Sequence, residues 1–90
     1  MRRPFLGAMP RLFFHLHNSH GPLPDEEGQE LARADARSQA VKEIRNLLAE
    51  EVLRGEVDLN GRIDVTTADG ELVATVAFGE ALRILPETGR

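Results

Sequence analysis

From Arg11 to His17 the chain reads Arg-Leu-Phe-Phe-His-Leu-His, so Leu12, Phe14 and Leu16 alternate with Phe13, His15 and His17. Successive side chains of a strand point to opposite faces. The pattern therefore predicts a first strand with Leu12, Phe14 and Leu16 turned into a core and Phe13, His15 and His17 on the other face. Asn18-Ser19-His20-Gly21-Pro22 and Asp25-Glu26-Glu27-Gly28 are clusters of turn formers, and between them only a short edge strand around Leu23 fits. From Arg33 to Arg54 the period lengthens. Ala36, Ala40, Val41, Ile44, Leu47, Leu48 and Leu53 recur at helical spacing, with Arg37, Lys42, Glu43, Glu50 and Glu51 elsewhere on the wheel. Gly55 stops this helix, and Asp35 is a candidate cap for a shorter version beginning at Ala36.

Alternation returns in Arg62–Thr67 and Leu72–Phe78, on either side of Asp69-Gly70. Asp-Gly between two alternating runs signals a hairpin with a two-residue loop, since both central residues of a type I′ turn need positive φ. With Ala68 opposite Glu71, Val65 faces Ala74 and Ile63 faces Val76, which puts the apolar sets of both strands on one side. The stretch Glu80–Leu85 suits either another short strand or a helical turn before Pro86.

A helix with one apolar stripe and an antiparallel sheet with one apolar face satisfy each other's need for burial. The expected fold is α+β, a two-layer sandwich of one long helix on three or four antiparallel strands, in the order β(β)αββ. Residues 9–85 make the single domain. Residues 1–8, which carry Pro4 and Gly7 without periodicity, read as a disordered leader before a fresh start at Met9-Pro10-Arg11, and residues 86–90 as a polar tail.

Composition narrows the function classes. The chain has 90 residues, which suffice for one core, and its 41% hydrophobic and 29% charged residues are those of a folding domain. It has no cysteine, hence no disulfide framework, thiolate metal site or cysteine nucleophile, in keeping with a cytoplasmic location. No apolar run approaches the roughly 20 residues of a membrane helix. The net charge is -4, and the basic residues Arg37, Lys42, Arg45 and Arg54 alternate with glutamates, which argues for a solvated helix face and against a nucleic-acid partner.

One arrangement bears on chemistry: His15, His17 and His20 form H-x-H-x-x-H. Residues two apart on a strand share a face, so His15 and His17 offer two imidazoles to one metal ion, with His20 or a carboxylate from Asp25–Glu27 as a third ligand. Two histidines on the solvated face of a sheet are the commoner outcome, and no second ligand pair follows His20. Asp25-Glu26-Glu27 as an acid–base pair is weighed likewise against a solvated acidic turn. The residues thus point to a non-enzymatic interaction or regulatory module without metal or cofactor. A protein partner or a second copy of the chain would sit on Phe13, His15 and His17. The alternative is a metal-binding protein using His15 and His17.

Taken together, Met9-Pro10-Arg11-Leu12-Phe13-Phe14-His15-Leu16, Asp25-Glu26-Glu27-Gly28, the helix ending Leu47-Leu48-Ala49-Glu50-Glu51, and Gly61–Val65 with Asp69-Gly70 resemble a bacterial family of short proteins described as a domain of unknown function. Its members open M-P-R-[YF]-[YF]-F-H and carry a D-E-x-G turn. The resemblance implies a shared fold and assigns no activity, so no residue inherits a role from it. Where members often have Pro-Asp at the helix start, this chain has Leu31-Ala32-Arg33. A looser, architectural likeness to HicB-type antitoxin domains is in keeping with a binding module.

Overall fold

The computed structural model describes residues 9–88; the leader expected at 1–8 and the last two residues of the tail lie outside the described residues. Strand β1 (Arg11–Asn18) is followed by β2 (Gly21–Leu23), β3 (Gln29–Glu30), helix α1 (Ala36–Leu53), β4 (Arg62–Thr66) and β5 (Leu72–Ala77). All strand pairs are antiparallel, in the order β2-β1-β4-β5, with β3 also paired to β1. One long helix on an antiparallel sheet is the two-layer α+β arrangement expected, with β3 added. No helix among the described residues is long and apolar enough to cross a membrane.

Alternation along β1 sorts its side chains as the sequence predicts. Leu12 and Phe14 are buried and Leu16 packs against the core, while Phe13, His15 and His17 are half-buried on the other face. From the helix come Ala36, Ala40, Ile44 and Leu48, four residues apart and all buried, joined by Ile63, Val65, Val76, Phe78 and Ala81. Leu53 departs from the expected stripe and is 87% exposed. At about 100° per residue it lies nine residues from Ile44, on the opposite side of the wheel.

Arg33–Asp35 forms a 3₁₀ turn, so the α-helix takes the shorter version, beginning at Ala36. Asp35 occupies the N-cap position, yet its side chain makes no capping hydrogen bond; the Ser38 hydroxyl instead donates to the Asp35 carbonyl at 3.1 Å. The other end is closed as the sequence predicts. Gly55, at φ 90°, donates to the Val52 carbonyl at 2.9 Å and Glu56 donates to the Glu51 carbonyl at 3.1 Å, the paired bonds of a Schellman motif.

The β4–β5 hairpin reaches the expected register by an unexpected route. Val65 pairs with Ala74 and Ile63 with Val76, but near the turn Thr66 pairs with Leu72, and the register shifts between Val65 and Thr66. Thr67 takes the place opposite Glu71 that was expected of Ala68: its N–H donates to the Glu71 carbonyl at 2.9 Å. The Gly70 N–H closes the turn onto the Thr67 carbonyl at 3.0 Å, with Gly70 at φ 92°. The loop is therefore Ala68-Asp69-Gly70, one residue longer than expected, and Val73 is the extra residue of a bulge that cancels the slip.

Beyond β5 a 3₁₀ turn at Phe78–Glu80 buries Phe78, after which Ala81 is buried and residues 82–88 have no regular structure. The helical turn thus falls earlier than Glu80–Leu85. Phe78 lies against Gly61, where a Cβ would come within 2.5 Å of its ring and 2.7 Å of the His17 carbonyl. Two helix arginines also reach backbone carbonyls: Arg37 donates to that of Thr75 in β5 at 3.1 Å, and Arg45 to that of Ala81, beyond the 3₁₀ turn, at 2.7 Å.

Ile44→Asp would bury a charge without a partner and is expected to abolish the folded circular dichroism spectrum, whereas exposed Lys42→Ala should change stability by no more than about 0.5 kcal/mol. Equal tolerance of the two would refute the assigned helix face. Gly61→Ala should cost about 1–3 kcal/mol in a denaturant melt, because neither the Phe78 ring nor the His17 carbonyl has room to yield.

Candidate functional site

The sheet face turned away from α1 carries Phe13, His15 and His17 from β1, Arg62, Asp64 and Thr66 from β4, and Thr75 from β5, brought side by side by the register His15↔Asp64, His17↔Arg62 and Asp64↔Thr75. Asp64 gathers its neighbours. Its Oδ1 accepts from the Thr75 hydroxyl at 3.0 Å and from Arg62 Nε at 3.1 Å, and its Oδ2 lies 3.4 Å from His17 Nε2. The Phe13 and His15 rings stand nearly parallel, 11° apart in plane, with centroids 6.4 Å apart.

Both ring nitrogens of His15 are engaged. Nδ1 receives the backbone N–H of Asp25 at 3.1 Å, so Nδ1 is the unprotonated nitrogen, and Nε2 carries the hydrogen donated to the Thr66 hydroxyl at 3.0 Å. Asp25 returns the contact through its side chain, whose Oδ2 accepts from the Phe14 N–H at 3.0 Å. Its Oδ1 accepts from the N–H groups of Glu27 and Gly28, at 3.1 Å each. Segment 24–28 is thereby held across the edge of β1, in the gap between β2 and β3.

The acidic turn of the sequence thus acquires a physical explanation. Burial pushes the Asp25 carboxyl pKa up, but the N–H groups of Phe14, Gly28 and Glu27 and the nearby His15 outweigh it and hold it below the ordinary 3.8. A carboxylate kept ionised in this way is poorly placed to act as a general acid near neutral pH. Gly28 is required twice over: its φ is 72°, and a Cβ there would lie 2.8 Å from Arg11 Cγ and 2.9 Å from the Phe13 ring.

Thr66, His15 and Asp25 superficially suggest a hydroxyl–imidazole–carboxylate triad. In such a triad the carboxylate meets Nδ1–H and leaves Nε2 free to take the hydroxyl proton. Here a backbone N–H meets Nδ1, so Nε2 already bears a hydrogen and cannot serve Thr66 as a base. His20 does not join the other two histidines; it lines a separate hollow with Glu51, Arg54, Glu56 and Asp58. Among the described residues no three His, Asp or Glu side chains are grouped so as to hold a metal ion. The face has three shallow, open hollows of about 290, 280 and 230 Å³, with His17, His15, or both in their walls.

Sequence reasoning brought Phe13, His15 and His17 together correctly and missed Arg62, Asp64, Thr66 and Thr75. The signal for the β4 residues was present in their spacing of two, opposite in phase to Ile63 and Val65. The pairing of Asp25 with Phe14 and His15 had no signal of that kind.

A family model for a domain of unknown function (DUF6894) matches residues 11–79, a span that contains every residue of this face. No curated protein and no solved structure matches the chain.

Asp25→Asn should destabilise the protein by about 1.5–3 kcal/mol at pH 7, the scale of hydrogen bonds to a charged group. The folded pKa is lowered, so the unfolded chain binds the proton more readily; this stabilisation is present above the unfolded value and is lost as pH falls through the folded one. Thermal melts of wild type and variant should therefore converge below about pH 4. A constant difference down to pH 2 would show that the carboxylate charge contributes nothing.

Proposed function

The chain belongs to the family DUF6894, a domain of unknown function, and on that premise we propose that it is a small non-enzymatic interaction module whose contact surface is the sheet face bearing Phe13, His15 and His17. One observation carries this reading: the groups on that face that resemble catalytic machinery are committed to holding the face together. His15 has a partner on each nitrogen, and Asp25 serves three backbone donors. The surface they leave is shallow and open, with a half-buried phenyl ring beside two imidazoles. A surface of this kind suits contact with another protein surface better than enclosure of a small substrate. The chain's negative charge further favours a protein, a second copy included, over a nucleic acid. The lack of cysteine and the family resemblance suit the cytoplasm of a bacterium.

Phe13→Ser removes the ring and leaves the inner face of β1 untouched. In sedimentation, a dimeric wild type and a folded monomeric variant would place the face between two copies. A monomeric wild type whose co-purifying protein disappears with the variant would place another chain there. Identical sedimentation and identical co-purifying proteins for both would overturn the assignment.

A further inference from the structure

Strand β5 ends the sheet, so one row of its backbone groups has no neighbouring strand. Pairing fixes which groups those are. The Phe14 N–H points away from β4, toward Asp25, so Phe14↔Val65 is a pair without mutual hydrogen bonds and His15↔Asp64 is a bonded one. Asp64 thus turns its backbone groups to β1, and its pairing with Thr75 is of the non-bonded kind. Thr75 and, two residues on, Ala77 therefore point both N–H and C=O out of the free edge. The Phe78 N–H, bonded inward to the Gly61 carbonyl at 2.8 Å, gives the same phase.

Side chains occupy two of these outward groups. Arg37 reaches round from α1 and donates to the Thr75 carbonyl at 3.1 Å, and Glu80, in the following 3₁₀ turn, accepts from the Ala77 N–H at 3.3 Å. The two side chains are also paired with each other, Arg37 Nη1 to Glu80 Oε1 at 2.9 Å, and both are about half exposed. Backbone and side chains form a closed ring along the edge, running Thr75, Arg37, Glu80, Ala77. An exposed ion pair of this kind contributes little to stability. Its effect lies in where it sits.

From Leu72 to Phe78 the chain reads Leu-Val-Ala-Thr-Val-Ala-Phe, without charge or proline and with β-branched Val73, Thr75 and Val76. An edge strand of that composition is a template for pairing with another chain. Being uncharged, it meets its own copy without repulsion. Antiparallel pairing about a two-fold axis at Thr75 would use the Thr75 carbonyl and the Ala77 N–H, and would bring the Arg37 guanidinium groups of both copies together at the axis. We infer that the free edge of β5 is a self-pairing surface for a second copy of this chain, held shut by Arg37 and Glu80. Each of the two fills a bonding position that the added strand needs, and each stands where its backbone would lie.

This surface is separate from the Phe13 face, and the test keeps the two apart. Dimer dissociation constants are measured by sedimentation for the full chain, Arg37→Ala and Glu80→Ala, each with and without Phe13→Ser. Amide exchange at Thr75 is followed by NMR as protein concentration rises. Both changes should tighten association by about tenfold or more, the scale of the backbone bonds released in the two copies. Phe13→Ser should not reverse this, and the outward Thr75 amide should become protected with concentration. Arg37→Ala makes the net charge more negative and Glu80→Ala less so, hence general repulsion would move the two variants in opposite directions. Should Arg37→Ala lose its fold, Glu80→Ala, which leaves the helix intact, decides. Association no tighter than that of the parent chain, opposite effects of the two changes, or a dimer whose Thr75 amide still exchanges freely would each overturn the inference. So would a wild-type Thr75 amide already protected in proportion to concentration.

Discussion

The pleat of β1 ties the core and the candidate face to one another. Its side chains alternate without freedom to choose, so burying Leu12 and Phe14 against the helix layer obliges Phe13, His15 and His17 to the opposite face. A slip of one residue would exchange the two sets and turn imidazoles toward Ile44 and Val65 in place of Phe14 and Leu16. Hydrophobic burial thus sets the position of the candidate face, although none of the face's polar groups contributes to that burial. Pairing with β4 along Phe13–His17 then brings Arg62, Asp64 and Thr66 alongside.

Backbone satisfaction supplies the second constraint. β2 and β3 are too short to pair the whole free edge of β1, and the Phe14 N–H falls between them. A backbone donor near the core requires an acceptor. Asp25 provides it, and in reaching the edge it draws its own N–H onto His15 and folds the turn over Phe13. The opposite edge of the sheet follows similar logic. The Thr75 carbonyl of β5 is taken by Arg37, which leaves one fewer acceptor for strand-to-strand association with another molecule.

These constraints explain which features the sequence disclosed. The strands and the helix stripe were legible because burial imposes a period, and periods survive in a linear sequence. The same principle shows why the turn was misread while the register was right. Apolar pairing at Val65↔Ala74 and Ile63↔Val76 fixes the register away from the loop, and any loop followed by a compensating bulge satisfies it equally well. Leu53 matches the stripe in residue type alone, since its angle on the wheel turns it to solvent. β3 has two residues, too few to show a period. The role of Asp25 was illegible for a different reason: the group it serves is a backbone N–H, which every residue but proline possesses and which leaves no mark in the sequence.

A domain of this size buries a small core, and here that core is closed at its margins by side chains bonded to backbone. Arg45 holds the Ala81 carbonyl, Glu51 accepts the Asp58 N–H at 2.9 Å, and Asp25 holds both its own turn and β1. Polar residues on the candidate face consequently contribute to stability as well as to shape. A loss-of-function change at His15, Asp25 or Thr66 would be ambiguous, because each is bonded into the fold. Phe13 and His17 differ. Neither is part of the buried cluster and neither side chain bonds to Asp25; Phe13 only packs against Gly28, and His17 has a single polar contact, at 3.4 Å from Asp64. A phenotype at these two positions, with folding intact, is the kind that distinguishes contact by this face from its upkeep.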